Sequence, residues 1–116
     1  MTSRKQYLPK SGLLQVDELK LLQYLLNDKH PEGKSKAKFF NGRGIRNGDW
    51  LLLQSALVQH GKARPIVSTE TTSFGIKYVV ECALETPDGV DSCVRTVWVA
   101  ERDNTFRLVT AYPITR

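Results

Sequence analysis

The side chains best suited to proton or phosphate chemistry gather in one short stretch, HPEGKSKAKFF, residues 30–40. His30 stands there beside Lys34, Lys36 and Lys38, and an aromatic pair closes the segment. Neighbouring ammonium groups favour a neutral imidazole, the form a general base needs near pH 7. Cleavage of RNA without a metal asks for such a base at the 2′-hydroxyl, cationic donors on the phosphate, and an acid or hydroxyl at the leaving oxygen. His30 is the candidate base. Lys34 and Lys36 are the candidate phosphate holders, helped by unpaired N–H groups at the start of a short helix near Ser35. Arg95, Thr110 and Tyr112 are the candidates that complete the site from the C-terminal half, and Tyr78 and Trp98 are candidates for stacking a base. The competing reading is a loop histidine ahead of proline and a solvated helix start. Alternate lysines on a helix diverge by roughly 200°, so Lys34, Lys36 and Lys38 do not all face one phosphate. The second histidine, His60, lies at an expected helix C-terminus, where a capping or surface role is expected.

The charge supports a polyanion partner by its distribution. Residues 1–47 hold ten Lys or Arg against four Asp or Glu, a net +6, whereas residues 48–116 hold seven against eight, a net −1. Between residues 29 and 46, Lys29, Lys34, Lys36, Lys38, Arg43 and Arg46 are opposed only by Glu32. That density concentrates a polyanion at one pole, although basic helix surfaces also serve solubility alone.

The chemistry classes left out are equally informative. No GxSxG elbow, Walker loop, post-strand GxGxxG or HExxH is present. NGRGIRNG, residues 41–48, follows no expected strand and reads as a helix connector. Two cysteines without a CxxC, and two isolated histidines, give no support to a zinc or other metal site, and no cofactor is expected. Apolar runs fall short of the roughly 18 residues that cross a bilayer, and MTSRKQYLPK lacks an apolar segment of the secretory kind. A cytoplasmic protein with no membrane partner is expected.

At 116 residues one domain is expected: an irregular arm over 1–12, a helical part over 13–61 and a sheet over 62–116. Val16, Leu19, Leu22, Leu25 and Leu26 recur at helical spacing in VDELKLLQYLLN, about three turns. Pro31 and Gly33 interrupt, SKAKFFN makes a short helix stopped by Gly42, and a further helix runs from about Asp49 to His60 with Gly61 just past its end. From Pro65 onward PIVSTE, GIKYVVECAL, SCVRTVWVA and TFRLVTAYPI alternate β-branched or aromatic residues with polar ones. The fold class is therefore α+β, two to three N-terminal helices packed on a four-stranded antiparallel β-meander.

The turns set the register. TPDG suits a three-residue loop with Gly in the left-handed position, which places Glu81 opposite Arg95, Val80 opposite Thr96, Cys82 opposite Val94 and Tyr78 opposite Trp98. A four-residue loop mixes apolar and charged faces and is rejected. The next loop, with Asn104 left-handed, places Leu108 opposite Trp98, Thr110 opposite Thr96 and Tyr112 opposite Val94. In that ladder Arg95 points away from Thr110 and Tyr112, and only a bulge brings them onto one face. Cys82 and Cys93 also point to opposite faces, so no disulfide is expected.

The segments LKLLQYLLNDKHPEGKSKAKFF, RTVWV and RLVTAYP resemble a small bacterial domain family of unknown function that occurs in mobile-element and toxin-like contexts. The order of helices then meander, closing on a TAYP-like strand, is also similar to the barnase, colicin and RelE-like ribonuclease superfamily. The resemblance implies a metal-independent RNA-cutting toxin with a basic, sheet-based site, carried by His30, Lys34, Lys36, Arg95, Thr110 and Tyr112. The chain departs from a two-histidine pattern, since no second histidine sits in the sheet. Lys29, Lys36, Lys38, Arg43 and Arg46, with Tyr78 and Trp98, are the expected nucleic-acid contacts. The leading expectation is thus a basic RNA-binding domain acting as a metal-independent endoribonuclease, with RNA or another polyanion and a cognate inhibitor or acidic protein as partners. The alternative is a non-catalytic accessory or anti-defence protein of a mobile element or phage that binds nucleic acid or protein; a purely structural domain is a third reading.

Overall fold

A computed structural model describes residues 5–90 and 92–114. The chain forms a first strand β1, Leu13–Gln15, then α1, Glu18–Lys20, which continues as a π-helical turn over Leu21–Leu25. α2 spans Lys34–Gly42, and α3 spans Trp50–Ala63 after a 3-10 turn at Asn47–Asp49. Strands β2 (Ile66–Thr72), β3 (Gly75–Leu84), β4 (Ser92–Ala100) and β5 (Thr105–Pro113) form the expected antiparallel meander. The sheet has five strands rather than four, ordered β1-β5-β4-β3-β2, because Leu13–Gln15 pairs in parallel with Thr105–Arg107. Three residues are too few to show a period-2 pattern, so this strand has no sequence signature of its own.

The β3–β4 ladder follows the turn chemistry. Tyr78 faces Trp98, Val80 faces Thr96, Glu81 faces Arg95 and Cys82 faces Val94, and Gly89 takes the left-handed conformation at φ 73°. In the next loop Asn104 is left-handed as expected, and Asp103 joins it, at φ 59° and 58°. The β4–β5 ladder then departs from the expected one. Trp98 faces Leu108 but Val97 faces Thr110, so Val109 is an extra residue and the register shifts by one. Beyond this bulge Ala111, not Thr110, faces Thr96, and Tyr112 faces Arg95 rather than Val94. Ala111 is fully buried; the shift exchanges a hydroxyl for a methyl in the core, which removes the cost of burying an extra polar group.

The helices cover the sheet face bearing Val80, Val94, Trp98, Phe106, Leu108 and Ala111. Leu21 and Leu25 of α1, Phe40 of α2 and Leu53 and Leu57 of α3 complete this core, all at 0% exposure. α3 does not stop before Gly61 but runs two residues past it. A Cβ there would lie 2.6 Å from Leu14 Cδ2 and 2.7 Å from Trp98 Cζ2, so the glycine serves close packing of helix on sheet rather than a cap.

His60 is likewise a core residue, not a cap or surface group. It is 2% exposed; its Nδ1 lies 3.0 Å from Thr96 Oγ1 and its Nε2 lies 2.8 Å from the carbonyl oxygen of Cys82. Since a carbonyl only accepts, Nε2 carries the proton, and Nδ1 accepts from the threonine hydroxyl, which itself accepts from Trp98 Nε1 at 2.8 Å. Burial, the largest influence, lowers the His60 pKa below its ordinary 6.5 and keeps the ring neutral.

Cys82 and Cys93 are joined by a disulfide, against the expectation from strict alternation. Cys82 pairs with Val94 and Ala83 with Cys93, so the two are diagonal neighbours. Alternation of burial lapses here: Val80, Glu81 and Leu84 are buried while Cys82 and Ala83 are half-buried. Face assignment by parity therefore fails at this end of the hairpin.

Candidate functional site

No described helix covers the opposite sheet face, where Val79, Val97 and Val109 lie half-buried among Lys77, Glu81 and Arg95. The bulge adds Thr110 and Tyr112 to this open face. Arg95 is tied to both neighbours. Its Nε donates to Glu81 Oε2 at 2.6 Å, its guanidinium donates to the Tyr112 hydroxyl at 3.1 Å, and its plane lies 5.6 Å from the Tyr112 ring centre. These hydrogen bonds, with Tyr112 the larger influence and Glu81 the next, raise the Arg95 pKa further. The Glu81 side chain is only 8% exposed, so a guanidinium is needed to compensate its charge.

Where β1 ends, the far side of β5 is taken up by α1 and the loop that follows it. Tyr24 in the π-helical turn shares a hydrogen bond with Thr110, Oη to Oγ1, at 3.2 Å. The His30 ring packs edge-on against Tyr24 at 5.1 Å. Lys36 Nζ sits between two aromatic rings, 5.2 Å from Tyr24 and 5.9 Å from Tyr112, and donates to the Glu32 carbonyl at 3.0 Å. Lys20 Nζ lies 5.3 Å from the same Tyr24 ring. A cation over an aromatic face is held without loss of its charge. An open groove results, lined by Glu18, Lys20, Tyr24, His30, Glu32 and Lys36 on one wall and Val109, Thr110 and Tyr112 on the other.

The loop conformation dictates the tautomer of His30. The backbone N–H groups of Glu32 and Gly33 both donate to Nδ1 at 3.0 Å. Nδ1 is thus an acceptor, and the proton of the neutral ring resides on Nε2. Gly33 permits this turn because the loop lies against α1; a Cβ there would fall 2.0 Å from the Tyr24 carbonyl oxygen.

Of the candidates drawn from the sequence, His30, Lys36, Thr110 and Tyr112 line one groove and Arg95 adjoins it through Tyr112. Lys34 begins α2 exposed and outside the groove, as expected for a side chain about 200° from Lys36 around the helix. Lys38 is also exposed on α2, and Arg43 pairs with Asp88 at 3.1 Å and lies over Phe39. Lys29 and Arg46 share a separate hollow with Asn41. Trp98 has 0% exposure and Tyr78 packs edge-on against Phe106. Both belong to the helix-covered side, so stacking of a base on Trp98 is excluded by its burial. Tyr24 and Lys20 also line the groove, although neither belongs to a recognisable motif. Their signal is the i, i+4 spacing of a lysine and a tyrosine off the leucine stripe of α1. Among the described residues no group of three His, Cys, Asp or Glu side chains is arranged to hold a metal.

The chain belongs to the family described as a domain of unknown function, DUF6883, whose model matches residues 7–115. No curated protein matches the sequence. Among solved structures, the fold is similar to one chain of a contact-dependent growth inhibition toxin–immunity protein complex from Klebsiella pneumoniae 342. The two share 18% identity and a TM-score of 0.70, over 85% of this chain and 98% of that chain.

Proposed function

We propose that this DUF6883 domain is a toxin-type endoribonuclease acting in the cytoplasm, with the groove between α1, the His30 loop and the bulged end of β5 as its active site. One observation carries the reading: the bulge at Val109 turns Thr110 and Tyr112 onto the face of Arg95, where they meet His30 and Lys36. The likeness to a chain of a toxin–immunity complex supports the toxin class and a cognate inhibitor as partner.

The residues divide the work as their geometry permits. Lys36 and the Nε2–H of His30 hold the scissile phosphate and meet the charge that builds on it. With Nδ1 occupied by two N–H donors, His30 is a donor to phosphate rather than the base. Glu18 and Glu32 line the groove and have no ion pair among the described residues, which makes them the available proton acceptors. One of them takes the 2′-hydroxyl proton as the 2′-oxygen bonds to phosphorus. The bond from phosphorus to the 5′-oxygen breaks, and the Tyr112 hydroxyl gives that oxygen its proton. Arg95, donating to the same hydroxyl at 3.1 Å, stabilises the phenolate that forms. The products are a 2′,3′-cyclic phosphate and a 5′-hydroxyl, and the base in the site stacks on Tyr24 or Tyr112.

The test is incubation with total RNA in EDTA, comparing the natural chain with Lys36→Ala, Tyr112→Phe, Glu18→Gln and Glu32→Gln. Cleavage with cyclic-phosphate ends, reduced at least 100-fold in Tyr112→Phe and in one glutamine variant, is expected. Undiminished cleavage in all four would sink the site. The second reading, a non-catalytic binding protein, is favoured by the fact that the Klebsiella complex contains an immunity protein as well as a toxin. Salt-sensitive RNA binding or protein binding with no cleavage would select it.

A further inference from the structure

On the other side of the His30 loop lies a hollow formed by the end of α1, residues 27–29, Asn41 of α2 and Arg46. Lys29 and Arg46 stand on different segments and line it together, and neither has an ion-pair partner among the described residues. Asn41 Oδ1 is buried without a hydrogen-bond partner. An amide oxygen left unpaired away from water is unfavourable, and Asn41 itself is half-buried and lines the hollow, so its amide is a group that a ligand there would engage. Asp28 lines the same hollow. A bare inorganic anion would gain nothing from that carboxylate, whereas a nucleotide brings hydroxyl and amino donors as well as phosphate. The loop itself is fixed on both sides: the Lys29 N–H donates to Asn27 Oδ1 at 3.0 Å, and those of Glu32 and Gly33 donate to His30 Nδ1. Lys29 and His30 are adjacent, about 3.8 Å apart at Cα, so a strand held in the groove reaches the hollow by crossing this loop.

We infer that this hollow is a subsite for a nucleotide flanking the scissile one. Lys29 and Arg46 hold its phosphate, the Asn41 amide reads its base edge, and Asp28 accepts from its 2′-hydroxyl. The inference rests on the endoribonuclease reading and extends it to a substrate longer than two nucleotides.

A hexanucleotide and a dinucleotide of RNA, cleaved by the natural chain, by Lys29→Ala/Arg46→Ala and by Asn41→Ala, test it. In the double variant the ratio of kcat/KM for the hexanucleotide to that for the dinucleotide is expected to fall about tenfold. The salt dependence of hexanucleotide binding should fall by roughly 0.7 in log–log slope, the contribution of one single-strand phosphate contact. Asn41→Ala should alter base preference at the flanking position while leaving that slope alone. An unmoved ratio and slope in the double variant, with the natural chain active, would overturn the subsite and leave the ribonuclease reading standing. A natural chain that neither cleaves nor binds RNA would overturn both.

Discussion

The Arg95 guanidinium donates to the Tyr112 hydroxyl across two adjacent strands, at 3.1 Å, while its Nε is held by Glu81 at 2.6 Å. In a ladder without a bulge these side chains would lie on opposite faces of the sheet. Val109 alone reverses that relation, because one extra residue inverts the facing of every later position on the strand.

The pair should behave as a unit. Arg95→Lys keeps the charge but lacks the fork that reaches Glu81 and Tyr112 together. We expect RNA cleavage to fall at least tenfold in this variant, and Arg95→Lys with Tyr112→Phe to be no worse than Tyr112→Phe alone. A double-mutant cycle in kcat checks this; strict additivity would separate the two residues.

Gly33→Ala should disrupt the His30 loop. Its new Cβ would meet the Tyr24 carbonyl oxygen at 2.0 Å, which the backbone must move to avoid. A loss of about 1–3 kcal/mol of stability is expected from such overpacking, together with loss of cleavage. Urea titration and activity on the same preparation measure both; full activity at natural stability would show that the loop is not bound as described.

His60 should make stability depend on pH. Its pKa is lowered in the folded state from the unfolded value near 6.5, chiefly by burial. Below that value the unfolded chain therefore binds the proton that the folded chain resists. The contribution is present above pH 6.5 and is lost as pH falls from there toward the folded pKa, at up to about 1.4 kcal/mol per pH unit. His60→Gln keeps a donor for Cys82 and an acceptor for Thr96 but does not titrate. Urea midpoints at pH 7.5 and 5.5 should differ less in this variant than in the natural chain.

The Cys82–Cys93 disulfide closes a loop with a sequence separation of 11. For a loop of that size the constraint on the unfolded chain is worth about 3 kcal/mol. Cys82→Ser/Cys93→Ser should lower stability by about 2–3 kcal/mol, and dithiothreitol should lower the natural chain similarly while leaving the double variant unchanged. Equal stability with and without reductant would remove the bridge from the account.

The sequence determined the order of helices then meander and the whole β3–β4 register, because both rest on local signals. Leucines at helical spacing mark α1, and a glycine suited to a left-handed turn fixes which residues of the first hairpin meet. It also holds weaker signals. His60 continues the stripe of Leu53 and Leu57 on α3, and Ala111 rather than Thr110 is the residue after Leu108 suited to a core. Only the tertiary structure decided the rest. The strand Leu13–Gln15 exists because β5 offers it an edge, and Cys82 reaches Cys93 because burial stops alternating near the hairpin end. Above all, the helices had to choose a face. Covering the Trp98 face put Ala111 inside, left Arg95, Thr110 and Tyr112 together outside, and brought Lys36 rather than Lys34 to meet them. That choice depends on packing between segments far apart in the chain, such as Tyr24 and Thr110 at a separation of 86 residues, for which no local pattern carries the information.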